Sequence, residues 1–161
     1  MISKSNKTFF DNHEEMGKVK FRMVGHMPIV KVKIGGKRFY FAIDTGAEVN
    51  VIDQRLKKKI PKDMIDVIYT GAMIGGDNQQ LPMTNMKIKS IKVGEEQYNN
   101  MPFAFADLSF LNKNGHYKID GLLGFPFLKK GLFCIDFRKK QLVRWKLKKN
   151  GIAVIAALNK P

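Results

Sequence analysis

The chain contains few of the residues that stabilise secreted domains or bind metals. It has one cysteine, Cys134, which excludes an intramolecular disulfide and gives no sign of an oxidising compartment. Because its neighbours Leu132, Phe133 and Ile135 are apolar, we predict that Cys134 is a buried core thiol. The three histidines are isolated from one another and have no metal-binding spacing. We therefore expect neither a metal site nor a cofactor.

Long apolar segments are also absent. Residues 1–7 have no apolar run of signal-peptide length, and no later segment approaches the length of a membrane span. We therefore expect a cytoplasmic protein with no membrane partner. A chain from which a leader had been removed would have the same sequence.

Acidic residues are scarce. The 161 residues include 29 basic and 14 acidic side chains, which gives a formal net charge of +15. Such a charge can attract nucleic acid or an acidic partner, but runs of lysine are usually solvated surface. Arginine is rare and the sequence has no interleaved aromatic and basic residues, so we expect that nucleic acid is not the primary partner. The length predicts one domain, too short for two catalytic lobes.

The most informative segment is an apolar strand that runs directly into a carboxylate. Residues 39–47 read Phe-Tyr-Phe-Ala-Ile-Asp-Thr-Gly-Ala. Burying a charge is costly, so Asp44 is a candidate catalytic residue. The Thr45 hydroxyl can lock a tight turn, and Gly46 leaves room for another backbone or a ligand. Asp-Thr-Gly also suits an ordinary turn, so these residues alone leave both interpretations open.

Other strands surround this segment. Residues 19–23 and 29–34 alternate apolar and polar side chains, which predicts half-buried strands. Gly35-Gly36 then predicts a hairpin whose return strand ends at Asp44. Further apolar strands are predicted within residues 86–106.

A second pattern occupies residues 121–124, which read Gly-Leu-Leu-Gly. The two leucines predict the end of a buried strand, and Pro126 suits the first turn of a short helix. A hairpin is predicted within residues 132–145. Another short helix is predicted after Asp53, which can act as its N-cap.

Together, the two patterns resemble the catalytic loop and the glycine-bearing strand of single-lobe, bacterial-type retropepsin-like aspartic proteases, over about residues 27–145. The resemblance implies an all-β fold, a closed barrel or sandwich with a ψ-loop and one or two short helices. It implies a catalytic loop formed by Asp44, Thr45 and Gly46. It implies support for this loop from Ala47, Leu122, Leu123 and Gly124. It also implies a substrate-covering flap formed by Ile74, Gly75, Gly76 and Asp77.

Peptide hydrolysis by such proteins requires two carboxylates that share one proton. Asp107, Asp120 and Asp136 are not followed by Thr-Gly or Ser-Gly, so the chain supplies one such loop. We therefore predict a homodimeric aspartic endopeptidase that cleaves a polypeptide bound as an extended strand. In the family the loop threonines grip each other across the twofold axis, a role that would pass to Thr45.

Ala47 stands where two-lobed relatives often have a hydroxyl. A hydroxyl that donates to the ionised carboxylate would lower the pKa of the carboxylate pair, so without it we predict activity at milder pH.

The predicted segments are a polar extension over 1–18, the protease lobe over 19–150 and an apolar segment over 151–161. This last segment either joins the dimer interface or packs on its own core. Two other functions remain open, a non-catalytic peptide-binding module of the same fold and a lysine-rich nucleic-acid-associated protein.

Overall fold

The computed structural model describes residues 11–74, 80–113 and 118–148, without the side chains of residues 67–74 and 80–83. Strands dominate these ranges. They are β1 (His13–Lys20), β2 (Arg22–Val24), β3 (Met27–Ile34), β4 (Lys37–Ile43), β5 (Val51–Asp53), β6 (Ile65–Ile74), β7 (Gln80–Val93), β8 (Glu96–Ala106), β9 (Gly121–Leu123), β10 (Leu132–Asp136) and β11 (Gln141–Leu147). The described helices are the α-helix α1 (Phe125–Leu128) and three 3-10 helices at Gln54–Lys59, Lys62–Met64 and Ser109–Asn112.

The strands form two sheets, one of which closes on itself. The larger sheet has the order β2-β3-β4-β9-β5-β8-β7-β6, and an additional pairing between β3 and β7 closes six of its strands into a barrel. A smaller sheet has the order β1-β11-β10. The predicted all-β class with a closed barrel is therefore confirmed.

The centre of the barrel has the connectivity of a ψ-loop. Strand β9 lies between the consecutive strands β4 and β5, parallel to β4 and antiparallel to β5. A chain segment from late in the sequence thus fills the gap that the β4–β5 loop leaves open. This insertion brings the two sequence patterns side by side.

Alternating side chains explain how the barrel forms. In β3, Val30, Val32 and Ile34 are buried, whereas Lys31 and Lys33 between them are exposed. The interior also contains fully buried aromatic rings, including Phe41 and Phe127. The period of two therefore gives the sheet an apolar inner face and, at this end, a basic outer face.

The structure corrects two predictions. Cys134 is exposed rather than buried, because Phe133 and Ile135 point toward the core and strand alternation turns the residue between them outward. The predicted strand over residues 19–23 is interrupted at Phe21, whose backbone N–H donates to the Lys140 carbonyl oxygen instead. Residue 18, the predicted end of the N-terminal extension, lies within β1, and the domain boundary remains a prediction.

The two short helices expected from the sequence are present, although one is of a different type. The segment after Asp53 is a 3-10 helix, and the Asp53 side chain caps it by accepting the Arg55 backbone N–H. The segment with Pro126 in its first turn is the α-helix α1. Residues 151–161 lie outside the described ranges. None of the helices within those ranges is long and apolar enough to cross a membrane.

Candidate active site

Asp44 immediately follows β4, where the chain leaves the barrel. Its backbone N–H donates to the carbonyl oxygen of Leu123 at 3.0 Å, which continues the parallel pairing of β4 with β9. Three residues later the chain has turned, because the Ala47 N–H donates to the Asp44 carbonyl oxygen at 3.3 Å. The end of β9 thus holds the start of the predicted catalytic loop.

The Asp44 carboxylate is held by its own loop. Its Oδ1 accepts the backbone N–H of Gly46 at 3.0 Å, and the side chain is half-buried. Thr45 and Gly46 are exposed. An apolar strand therefore presents one oriented carboxylate at an open surface, where a substrate or a second protein could reach it.

Gly124 lies directly behind this loop. A Cβ atom at this position would be 2.4 Å from the Ala47 carbonyl oxygen and 2.7 Å from that of Val49. The next residue, Phe125, donates its N–H to the same Ala47 oxygen at 2.8 Å. Since the obstructing atoms belong to backbone, only glycine allows this approach. Of the predicted supporting residues, Leu122 and Leu123 form the adjoining strand β9.

Asn50 is a buried polar residue that the sequence analysis missed. Its side chain accepts the Gly124 N–H at 2.9 Å through Oδ1 and donates through Nδ2 to the Pro102 carbonyl oxygen at 2.9 Å. It has no exposed surface. One carboxamide therefore connects the end of the catalytic loop to both β8 and the glycine after β9. The available signal was an amide between the apolar residues Val49 and Val51.

Two other aspartates considered in the sequence, Asp107 and Asp136, accept hydrogen bonds within their own local turns. Asp107 accepts the Ser109 N–H, which lowers the pKa of the Asp107 carboxyl. Asp136 accepts the Lys139 N–H. Neither interaction places a carboxylate in the Asp44 loop.

Asp120 lies at the other end of β9 from Gly124 and accepts the Tyr40 N–H at 2.9 Å. Burial raises the pKa of the Asp120 carboxyl, and this hydrogen bond opposes the increase. Asp120 is thus tied to the middle of β4 rather than to its end. Within the described part of the chain, no cluster of three or more histidine, cysteine, aspartate or glutamate residues could hold a metal ion.

The predicted flap lies mostly outside the described residues. Ile74 ends β6 and pairs with Gln80 of β7, so these strands form an antiparallel pair up to this point. Gly75, Gly76 and Asp77 fall in the segment that is not described, as does His116. Their predicted roles remain predictions.

The chain is similar to known aspartic proteases in sequence pattern and in fold. The profile of a family described as aspartyl protease matches residues 30–127. A crystal structure of a retropepsin-like aspartic protease from Rickettsia conorii superposes with a TM-score of 0.57 at 19% identity, covering 80% of this chain and 99% of that one. The retroviral protease-like domain of Ddi1 from Leishmania major gives a TM-score of 0.54 at 14% identity, covering 77% of this chain and 97% of that one. A search among curated proteins found no match.

Proposed function

The chain belongs to the aspartyl protease family, and on this premise we propose that it is an aspartic endopeptidase that acts as a homodimer. The observation that carries the proposal is the placement of Asp44, half-buried at the end of an apolar strand and oriented by the Gly46 N–H. A carboxylate that served only to close a turn would not require the close glycine packing found behind it.

The proposed reaction uses one Asp44 from each subunit. One carboxylate is ionised and takes a proton from a water molecule as the water oxygen attacks the peptide carbonyl carbon. The other carboxyl donates its proton to the carbonyl oxygen. When the resulting tetrahedral intermediate collapses, the C–N bond breaks, the leaving amine takes the proton that the first carboxylate had removed from water, and a hydroxyl proton of the intermediate returns to the other carboxylate. Two carboxylates that share one proton would not both ionise at low cost, so they titrate as a pair.

The exposed loop supports the requirement for a second copy. Asp-Thr-Gly occurs once in the sequence, and the side chain of Thr45 lies on the open surface beside Asp44. Two copies could therefore meet loop to loop on a twofold axis, with Thr45 of each gripping the other. The substrate would lie as an extended strand between this pair and two flaps built around residues 74–77.

The packing behind the loop supports catalysis rather than binding alone. Catalytic groups must be held within a fraction of an ångström of their working geometry. Gly124 contacts the loop backbone, and the buried Asn50 carboxamide joins Gly124 to the neighbouring strand. A peptide-binding module of the same fold would not need a carboxylate placed with this accuracy.

The first test compares the protein with its Asp44→Asn variant on a diverse peptide library at several pH values. Asparagine keeps an oxygen that can accept the Gly46 N–H, so the loop should hold its shape. Asp107→Asn, a substitution in an exposed turn, serves as the control. We expect cleavage by the native protein and the control but not by Asp44→Asn. If a dimer forms and none of the three cleaves any peptide, the non-catalytic module is favoured.

The second test asks whether each active site needs both copies of Asp44. Native and Asp44→Asn chains are mixed in equal amounts and allowed to exchange subunits. If catalysis requires two aspartates, random pairing leaves about one quarter of the activity of an all-native sample of the same total concentration. A residual activity of one half would mean that each chain acts alone, which would contradict the proposed mechanism.

The predicted roles of residues 151–161 can be separated by deletion. An interface role requires that the shortened chain loses its dimer in sedimentation, whereas packing on the same subunit predicts an unchanged dimer with lower stability. The cytoplasmic location remains a prediction.

A further inference from the structure

The outer face of β3 and β4 is apolar at one end and basic at the other. Near Asp44 it is apolar and covered: Ile29 and Ala42 are buried there against Leu108 and Ile119. Toward the β3–β4 turn the same face carries exposed basic side chains instead. This second region forms a groove of about 570 Å³. The charged side chains that line it are Lys20, Lys31, Lys33, Arg38, Lys92 and Glu95.

Three of these cations lie in one row across three strands. Lys33 is directly opposite Arg38 of β4 on one side and Lys92 of β7 on the other. Like charges in directly opposed positions destabilise a sheet. Among the described residues that line the groove, only Glu95 carries negative charge, 3.2 Å from Lys92 and almost fully exposed. The fold therefore gathers positive charge here at a cost in its own stability.

We propose that this basic groove binds the phosphodiester backbone of a single nucleic-acid strand without reading its bases. Successive residues on one face of a strand are about 7 Å apart, a spacing that the phosphates of a fully extended, unstacked single strand can match. A polyanion in the groove would offset the repulsion within the row. Charge complementarity therefore identifies the occupant as a polyanion, and the spacing favours a phosphodiester backbone.

The types of side chain suit contacts made by charge alone. Four of the five cations are lysines, which bind phosphate as point charges and impose no fixed orientation on it. None of the described residues that line the groove is aromatic, so the groove offers no ring on which a base could stack. The expected binding is thus independent of base sequence and sensitive to salt.

The groove is separate from the candidate active site. Arg38 and Asp44 lie at opposite ends of β4, about 20 Å apart for an extended strand. Nucleic-acid binding therefore does not depend on the proposed proteolysis. It would be an additional property of the chain, consistent with our expectation from sequence that nucleic acid is not the primary partner.

The test measures fluorescence anisotropy of a labelled oligothymidylate of about 20 nucleotides from low to moderate salt. If about four phosphates are neutralised, the slope of log affinity against log salt should be about −3, so that affinity falls roughly fifty-fold between 50 and 200 mM. The variant Lys31→Gln/Lys33→Gln/Arg38→Gln should reduce the slope to about −1 and weaken binding about tenfold or more at 100 mM salt. Its thermal midpoint should be unchanged or higher, because it removes repulsion.

The matched control removes the same charge elsewhere. Lys113, Lys129 and Lys130 are exposed and do not line the groove. The variant Lys113→Gln/Lys129→Gln/Lys130→Gln should retain nearly all of the affinity and the slope. An equal loss in both variants would mean that net charge alone attracts the oligonucleotide, and the assignment of the groove would be wrong.

Competition identifies the chemistry of the occupant. Unlabelled oligonucleotides of different base composition should compete equally well, and polyglutamate of equal charge should compete at least tenfold less well. Equal competition by polyglutamate would overturn the proposal in favour of an acidic polypeptide. A tenfold preference among base sequences would contradict binding through the backbone.

Discussion

Removal of the Asn50 carboxamide should destabilise the structure that supports the candidate active-site loop. In Asn50→Ala, the Gly124 N–H is left in a fully buried position without its acceptor, which costs about 2 kcal/mol. The bond to the Pro102 carbonyl oxygen contributes less, about 1 kcal/mol, because it is only partly buried. We therefore expect a loss of about 3 kcal/mol in the free energy of unfolding.

The assay is denaturant and thermal unfolding at fixed protein concentration, since pairing would make stability concentration-dependent. For a chain of 161 residues, a loss of 3 kcal/mol corresponds to a decrease of about 6–12 °C in the thermal midpoint. Asn99→Ala is the matched control, because Asn99 accepts a hydrogen bond from Gln97 on an exposed surface. That variant should change stability by less than about 0.5 kcal/mol.

A second substitution separates the hydrogen bonds from packing. In Asn50→Asp, the new carboxyl is nearly isosteric but cannot donate to Pro102 while ionised. When protonated it can both donate to Pro102 and accept from Gly124, so the stability deficit should shrink as the pH falls. A deficit that is the same at all pH values, or an Asn50→Ala variant within 0.5 kcal/mol of the native protein, would refute this account of the site.

Three further substitutions test other parts of the structure. Gly124→Ala should destabilise the protein by more than about 2 kcal/mol and abolish cleavage, because its Cβ would overlap the Ala47 carbonyl oxygen. In unfolding and peptide assays, Gly17→Ala should lose less stability and keep cleavage, because its Cβ would lie 3.2 Å from a Glu96 carboxylate oxygen and meet no backbone atom within 4 Å. The pKa of the Asp120 carboxyl is raised in the folded protein, so ionisation of Asp120 lowers the stability of the native protein as the pH rises above about 3.8. Asp120→Asn cannot ionise and should therefore become more stable relative to the native protein over this pH range. Equal pH dependence of the two proteins in unfolding experiments would contradict this. Ala47→Ser should shift the pH-rate profile for peptide cleavage toward acid, by supplying a donor to the ionised carboxylate pair, and an unchanged profile would count against our explanation for activity at milder pH.

Local sequence patterns predicted the elements around the site because they depend on neighbouring residues. Alternation in residues 29–34 identified β3, and Gly35-Gly36 identified the hairpin that leads to Asp44. Predictions failed where the outcome depended on orientation within an element. The apolar neighbours of Cys134 suggested burial, but a period of two turned the thiol outward while Phe133 and Ile135 faced the core.

The contacts behind the active-site loop could be identified only from the folded structure. Asn50 and Gly124 are 74 residues apart in sequence, and only the insertion of β9 between β4 and β5 brings the carboxamide to the glycine N–H. The basic groove likewise depends on register. Lys33, Arg38 and Lys92 come from three strands and form a row because of how those strands pair.

The amino-acid sequence by itself determined the all-β class, the apolar strand that ends in Asp44 and the family resemblance, because these follow from short-range periodicity and contiguous motifs. The tertiary structure alone decided which backbone atoms enclose that carboxylate's loop, which amide supports it and where the excess positive charge gathers. Those features depend on long-range strand pairing, whose register is set by the packing of the whole barrel rather than by any one segment.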